Sequence, residues 1–228
     1  MKINVFLPCR KGSQRVPKKN IKPFDKYKYG LIEIKLNQLL QCNSIDNIYL
    51  STNDEEIIDF AKSLNNNKII IHHRIDELSS SETSTDELIS HALDLIKDGE
   101  ILWTHVTSPF LNANEYEKII LKYKEMKNKE YDSLMSTTLI HGFLWDDHKP
   151  INYDRKREKW PRTQTIRPVH EVNSGVFLAH SDIYRNLNDR IGNKPYLYVL
   201  DKIIGFDIDW EEDFIIAKAI LESKVAKI

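Results

Sequence analysis

Two stretches at opposite ends of the chain hold the residues best suited to chemistry. The first, Pro8-Cys9-Arg10-Lys11-Gly12-Ser13-Gln14-Arg15-Val16-Pro17-Lys18-Lys19-Asn20, sets five cations within ten residues around a turn of small residues. Such a turn at the carboxyl end of a first parallel strand presents backbone N–H groups as a concave nest, and with these cations it suits a polyphosphate. It is neither GxxxxGK[ST] nor GxGxxG, so the Walker and dinucleotide patterns are both missing. A solvated basic loop is the other reading. The second stretch, Phe206-Asp207-Ile208-Asp209-Trp210, runs into Glu211-Glu212-Asp213-Phe214. In extended backbone Asp207 and Asp209 share a face while Ile208 turns to the core. Two carboxylates on one edge suit a Mg²⁺ ion shared with a nucleotide's phosphates. The same acids suit the start of a helix, where negative charge meets the helix dipole, and both readings can hold together.

A third set is scattered: Arg74, the run Ser79-Ser80-Ser81-Glu82-Thr83-Ser84, and Thr104-His105-Val106-Thr107-Ser108-Pro109. Loops at strand ends in an open parallel sheet line the ligand crevice. Taken alone, a serine run is a loop and His105 is a hydrogen-bonded structural histidine.

These groups need a frame, and the periodicities provide it. Short β-rich runs at 3–7, 47–51, 68–71, 101–105 and 133–137 alternate with helical patterns at 31–41, 55–64, 86–97 and 113–126. That alternation predicts an α/β fold with a parallel sheet. Strand-like runs return at 174–179 and 205–209 before a closing helix over 211–224. Between 141 and 172 neither period holds, and the segment carries two of the four tryptophans and three of the eight prolines. A loop of this length is expected to be an active-site cover or an arm packed on another subunit.

The chain has 228 residues and a net charge of -1, which fits a single domain over 1–228 and gives no overall attraction to nucleic acid. Cys9 and Cys42 have no metal-ligand spacing and are not needed as staples, as expected in a reducing, cytoplasmic compartment. No apolar run is long enough for a membrane span.

LPCRKGSQRVPKKN resembles the signature of the acylneuraminate cytidylyltransferases, the enzymes that activate sialic acids and their relatives acting on Kdo, legionaminic and pseudaminic acids. STNDEEI, an Arg-x-x-x-Leu-Ser-Ser segment before a helix ending in HAL, TSPF, PRTQ, VNSGVFLA and FDIDWEEDF agree in order, so the resemblance spans nearly the whole chain. It implies a Rossmann-like, mostly parallel sheet flanked by helices of the nucleotidyltransferase type, with 141–172 as a small dimerisation arm of a homodimer. It also implies transfer of CMP from CTP to an acceptor oxygen with release of pyrophosphate, for surface polysaccharide biosynthesis.

By the same resemblance, Arg10 and Lys19 bind the triphosphate over the Gly12-Ser13 turn, with Arg15 beside them. Asn20, Arg74 and Ser80 surround the cytidine, and Asp207 and Asp209 hold Mg²⁺. His105, Thr107, Arg162, Gln164 and Asn173 fall toward the acceptor or the partner subunit. Three departures stand out: Gln14 replaces a lysine frequent in the family, His105-Val106 replaces a Gln-Pro pair, and Asn173-Ser174-Gly175 replaces a simpler Asn-Gly. CTP use is expected to survive them. The acceptor is either a small acidic sugar or a phosphorylated small molecule that would give a CDP conjugate. A non-catalytic nucleotide-binding protein is the reading outside catalysis, but it would not need both the basic loop and the Asp pair.

Overall fold

The structure is a computed structural model and describes residues 1–80 and 82–228; Ser81 of the serine run lies outside them. The first strand, β1 (Ile3–Pro8), is apolar in succession rather than in alternation because it is covered on both faces. It lies between β2 (Asn47–Thr52) and β4 (Glu100–Trp103), parallel to both, and β2 pairs in parallel with β3 (Ile69–His73). The connections are helices α1 (Gly30–Gln41), α2 (Glu55–Ser63) and α3 (Thr85–Leu95). The Ser84 hydroxyl and the Glu87 carboxylate cap α3 reciprocally. Helix α4 (Ala113–Lys127) starts at Asn112, whose side chain accepts from Glu115 N–H.

Beyond β4 the chain adds β5 (Ser133–Ile140), β6 (Val169–His180), α5 (Ser181–Leu187), β7 (Pro195–Val199) and α6 (Glu211–Glu222). The seven strands lie in the order β3-β2-β1-β4-β6-β5-β7. Strand β6 is antiparallel to both neighbours and β7 is parallel to β5, so the sheet is mostly parallel with one reversed strand. Its two faces are covered separately. Val5, Leu7 and Leu102 pack with Leu31 and Ile34 of α1, Ile119 of α4 and Phe214 of α6. Phe6, Ile101, Trp103 and Phe177 pack with Ile89 of α3 and Tyr184 of α5.

Three elements differ from the sequence expectation. Residues 205–209 join no ladder; Ile208 N–H donates to Thr107 O at 2.8 Å and a turn with Gly205 N–H on Asp201 O precedes it. The segment is extended, as its alternation required, and its one backbone bond to the loop after β4 holds it at the end of the sheet rather than in it. Strand β7 and helix α5 were not anticipated. One is a half-exposed edge strand and the other is seven residues long, and neither carries a strong apolar period. The last residues of the 141–172 stretch are the start of β6, which pairs with β5 as far as Ile140↔Val169. The rest is held by its aromatic rings, with Phe143 against Tyr153 and Trp160 at 5.2 and 5.3 Å between centroids.

Candidate active site

The basic loop leaves the carboxyl end of β1 and is fixed by its own polar groups. Cys9 N–H donates to Ser51 O, Lys11 N–H to the Asn53 side chain at 2.8 Å, and the Asn20 amide to Arg10 O at 3.0 Å. Gly12 has φ +79°, a backbone region that glycine enters without strain. Val16 is fully buried and pins the loop from below. The result is a cleft of about 270 Å³ bordered by Arg10, Ser13, Gln14, Arg15, Lys19, Asn20, His105 and Thr107. The structure therefore collects at one place residues expected for the triphosphate and residues expected near the acceptor.

The acidic segment closes on this loop from the far end of the chain. Lys19 is 9% exposed, and its ammonium donates to Ile208 O at 3.0 Å and to Asp209 Oδ1 at 3.1 Å. Arg15 meets the other oxygen of Asp209 at 2.9 Å and lies over the Trp210 ring. The start of α6 is capped by Asp213, whose carboxylate accepts from the backbone N–H groups of Asp209 and Trp210 at 2.8 and 2.7 Å. The Asp209 carboxylate is thus released from capping and turned to the cations. Burial raises the pKa of Asp207, against the pull of Thr107 and Ser108, and the Ser108 hydroxyl donates to it at 3.4 Å.

Beneath Asp207 lies a group that sequence reasoning missed. Lys35 of α1 is fully buried and donates to Ser108 O at 2.9 Å, Leu111 O at 3.3 Å and the Tyr116 hydroxyl at 2.9 Å. The Tyr116 hydroxyl meets Thr104 Oγ1 at 2.7 Å, and Thr104 donates to Gly175 O at 2.7 Å. One ammonium thus fastens the loop after β4 to α1, α4 and β6. Its signal was present: position 35 stands four residues from both Leu31 and Leu39, on the apolar stripe of the helix.

On the side expected for the cytidine, Arg74 is 2% exposed, donates from Nε to Ser79 Oγ at 3.1 Å and leaves Nη2 without a partner. Ser80 is exposed and closes a turn by accepting from Glu82 and Thr83 N–H. His105 accepts at Nε2 from Trp103 Nε1 at 3.1 Å, and burial, followed by the charge of Arg190, pushes its pKa down to about 3. It is a neutral imidazole with its proton on Nδ1, because an indole N–H can only donate.

A second cleft, of about 530 Å³, is lined by Thr138, Glu171, Asn173, Ser174, Lys202, Asp207 and Asp209 among others. The Asn173 side-chain oxygen accepts from Ser136 Oγ at 2.6 Å and from Gly175 N–H at 3.2 Å, which leaves Nδ2 unpartnered. Arg162 and Gln164 are exposed on the short 3₁₀ turn Thr163–Thr165 and its flank, and they border neither cleft. Asp207 and Asp209 offer a hard cation two carboxylates beside the basic loop. Asp207 is desolvated and without an ion-pair partner among the described residues, so a divalent ion fits this pair. No larger group of His, Cys, Asp and Glu suited to a metal occurs among the described residues.

Comparison with known proteins bears on the family and the fold. A family model described as Cytidylyltransferase matches residues 5–221. An N-acylneuraminate cytidylyltransferase of Escherichia coli is 25% identical over 98% of this chain, which spans 53% of that protein's length. A pseudaminic acid cytidylyltransferase of Campylobacter jejuni is 25% identical over 96% of this chain and 95% of its own. In fold, the chain resembles a CMP:2-keto-3-deoxy-manno-octonic acid synthetase solved with CTP, with a TM-score of 0.67 at 14% identity over 98% and 100% of the two chains. It also resembles a 4-diphosphocytidyl-2C-methyl-D-erythritol synthase of Anaerococcus prevotii, with a TM-score of 0.64 at 17% identity over 97% and 98%. The match from the basic loop through the Asp pair into α6 means that the chain belongs to the cytidylyltransferase family of nucleotidyltransferases.

Proposed function

We propose that the protein transfers CMP from CTP to a small acidic sugar of the nonulosonic type and releases pyrophosphate, as a Mg²⁺-dependent, cytoplasmic homodimer. The observation that carries the reading is the closure of the basic loop on the Asp pair through Lys19 and Asp209. In the reaction an acceptor hydroxyl oxygen attacks the α-phosphorus, the bond to the β-phosphate bridging oxygen breaks, and pyrophosphate leaves while the hydroxyl proton passes to solvent. Arg10 and Lys19, with the Gly12-Ser13 turn, hold the triphosphate and offset the charge that grows on the departing oxygens. Asn20, Arg74 and Ser80 seat the cytidine, and Asn173 and Thr107 the acceptor, which fixes attacking and leaving atoms in line. Mg²⁺ held by Asp207 and Asp209 would supply charge neutralisation and acidify the acceptor hydroxyl.

The dimer is supported by the exposed rings of the arm, where Trp160 is 62% and Trp145 41% exposed. Arg162 and Gln164, which border neither cleft of their own chain, would serve the partner's acceptor site. The free thiols of Cys9 and Cys42 support a reducing compartment. The test is pyrophosphate release from CTP and Mg²⁺ against sialic, legionaminic and pseudaminic acids, Kdo and phosphorylated metabolites, with other nucleotides as controls. Release with a nonulosonic acid is expected. Release only with phosphate-bearing acceptors would make the product a CDP conjugate, and silence with every acceptor would overturn the transferase reading.

A further inference from the structure

The segment between α5 and β7 carries a half-buried cation, Arg190, with no hydrogen-bonded anion among the described residues. The guanidinium carbon of Arg190 lies 3.6 Å from the ring centroid of Phe177 and 4.9 Å from that of Trp103, residues that face each other across β4 and β6. The adjacent Asp189 accepts through one oxygen, Oδ1, from the backbone N–H groups of Arg190 and Ile191, at 2.6 and 3.3 Å, and its charge favours the Arg190 cation without bonding to it. Among the described residues no hydrogen bond or ion pair engages the guanidinium. Arginine keeps its charge in a protein, and a desolvated charge is costly unless something pairs with it. The two aromatic faces recover part of that cost through cation–π attraction, but they leave the N–H groups in the guanidinium plane unused.

Two further donors gather about the same rings. His105 packs against the Trp103 indole with 6.1 Å between centroids and has its Nδ1–H to offer. Tyr184 of α5 is buried with its hydroxyl unpartnered, and Arg190 lowers its pKa against the larger effect of burial. Among the described residues the guanidinium and the Tyr184 hydroxyl have no hydrogen-bonded acceptor, and the one nearby carboxylate, Asp189, acts on Arg190 through its charge without bonding the guanidinium; this surplus of donors suits an oxyanion. It also lies beside the chemistry. His105 borders the phosphate cleft, and β6, which carries Phe177, brings Asn173 and Ser174 to the second cleft.

We propose that Arg190 is a specificity-determining residue that binds an oxyanion of the acceptor, a carboxylate or a phosphate ester, with His105 as a second donor. Placing that oxyanion on the acceptor rests on the transferase reading above; the vacant cation does not. A single planar guanidinium satisfies such a group through two parallel N–H···O bonds and rejects the neutral isostere, because the buried donors would then stay unpaired.

The test is equilibrium binding by calorimetry to wild type and Arg190→Met, whose side chain still covers Phe177. EDTA excludes turnover, and each titration is run with and without CTP. The probes are N-acetylneuraminic acid, its methyl ester and glycerol 3-phosphate. For wild type the ester is expected to bind roughly 10- to 100-fold more weakly than the acid, and in Arg190→Met that difference should vanish. If glycerol 3-phosphate is the probe whose binding the substitution abolishes, the oxyanion is a phosphate. An Arg190→Met protein that still separates acid from ester as wild type does, or a wild type that binds neither anion, overturns the proposal. Failure of CTP to bind when the titration is repeated with Mg²⁺ in place of EDTA and no acceptor present, with the anion arm intact, instead counts against the transferase reading alone. Arg190→Gln replaces the Met variant if the latter lacks a cooperative thermal transition.

Discussion

Replacing Lys35 with Met exchanges a buried ammonium for an apolar side chain of similar length. Three bonds are lost, to Ser108 O, Leu111 O and the Tyr116 hydroxyl. Ser108 O keeps a bond from Leu111 N–H, and Tyr116 keeps Thr104, so the main unpaired group is the Leu111 carbonyl. A buried acceptor left alone costs about 1–3 kcal/mol, and with the weakened network we expect a net loss of roughly 2–3 kcal/mol. For a chain of this length that lowers Tm by roughly 5–10 °C at neutral pH.

The same change has a pH signature. Burial lowers the pKa of Lys35 to about 7, with Asp207 pulling the other way. The unfolded chain holds this proton up to roughly pH 10, whereas the native state gives it up from about pH 7, so native stability rises with pH across that window by roughly 1.4 kcal/mol per unit. Between pH 7 and pH 9 the gap between wild type and Lys35→Met should therefore widen by roughly 2–3 kcal/mol. Calorimetric melting at half-unit pH steps reads it. A gap that stays constant or narrows with rising pH would refute the titration, and an unchanged Tm at pH 7 would refute the network. Turnover gives a third reading: because Ser108 and Thr107 carry Asp207 and Ile208, kcat should fall roughly tenfold with little change in KM for CTP.

Asp209→Asn should lose turnover at least ~1000-fold while Tm moves by less than about 3 °C, since its ion pairs are partly exposed; near-normal pyrophosphate release would remove the metal assignment. Arg10→Ala is expected to raise KM for CTP by roughly 10- to 100-fold, and an unchanged CTP dependence would take Arg10 out of the phosphate site. In Gly205→Ala the new Cβ would stand 2.7 Å from Asn173 Nδ2 and 2.9 Å from Thr138 Cγ2, which must push the amide aside. Acceptor KM should rise severalfold with CTP KM within about twofold, and steady-state kinetics with both unchanged would show that Asn173 does not touch the acceptor. Chelation by EDTA should abolish turnover and added Mg²⁺ restore it; activity that persists in EDTA contradicts a metal at the Asp pair.

Much of the fold was legible because β1 and β4 are buried along nearly their whole length and read as short, largely apolar runs, and β2 as a β-rich run, between helical patterns. The reversed β6 was not, since a strand's direction leaves no mark on its own residues. Edge strand β7 has only partial burial to impose a pattern. At the site, the basic loop and Asp207-Ile208-Asp209 showed themselves through local density of charge. Lys35 showed itself only through its place on the apolar stripe of α1, with no cluster of charge around it, and Arg190 left no mark, because an arginine in a loop looks ordinary until the strands beside it are known. Asp213 was read with its acidic neighbours, and only the geometry shows that it alone caps α6 and leaves Asp209 free.

The bond from Lys19 to Asp209 joins residues 190 positions apart. During synthesis the basic loop is therefore made well before its partner and stays open until Asp209 has left the ribosome. The strands β1 to β4 can assemble early, but Lys19 and Arg15 of the loop meet their acidic counterpart only after Asp209 has emerged. A nascent or truncated chain would present an exposed cluster of positive charge to the polyanions around it. Arrival of the acidic segment thus both builds the site and silences its indiscriminate half.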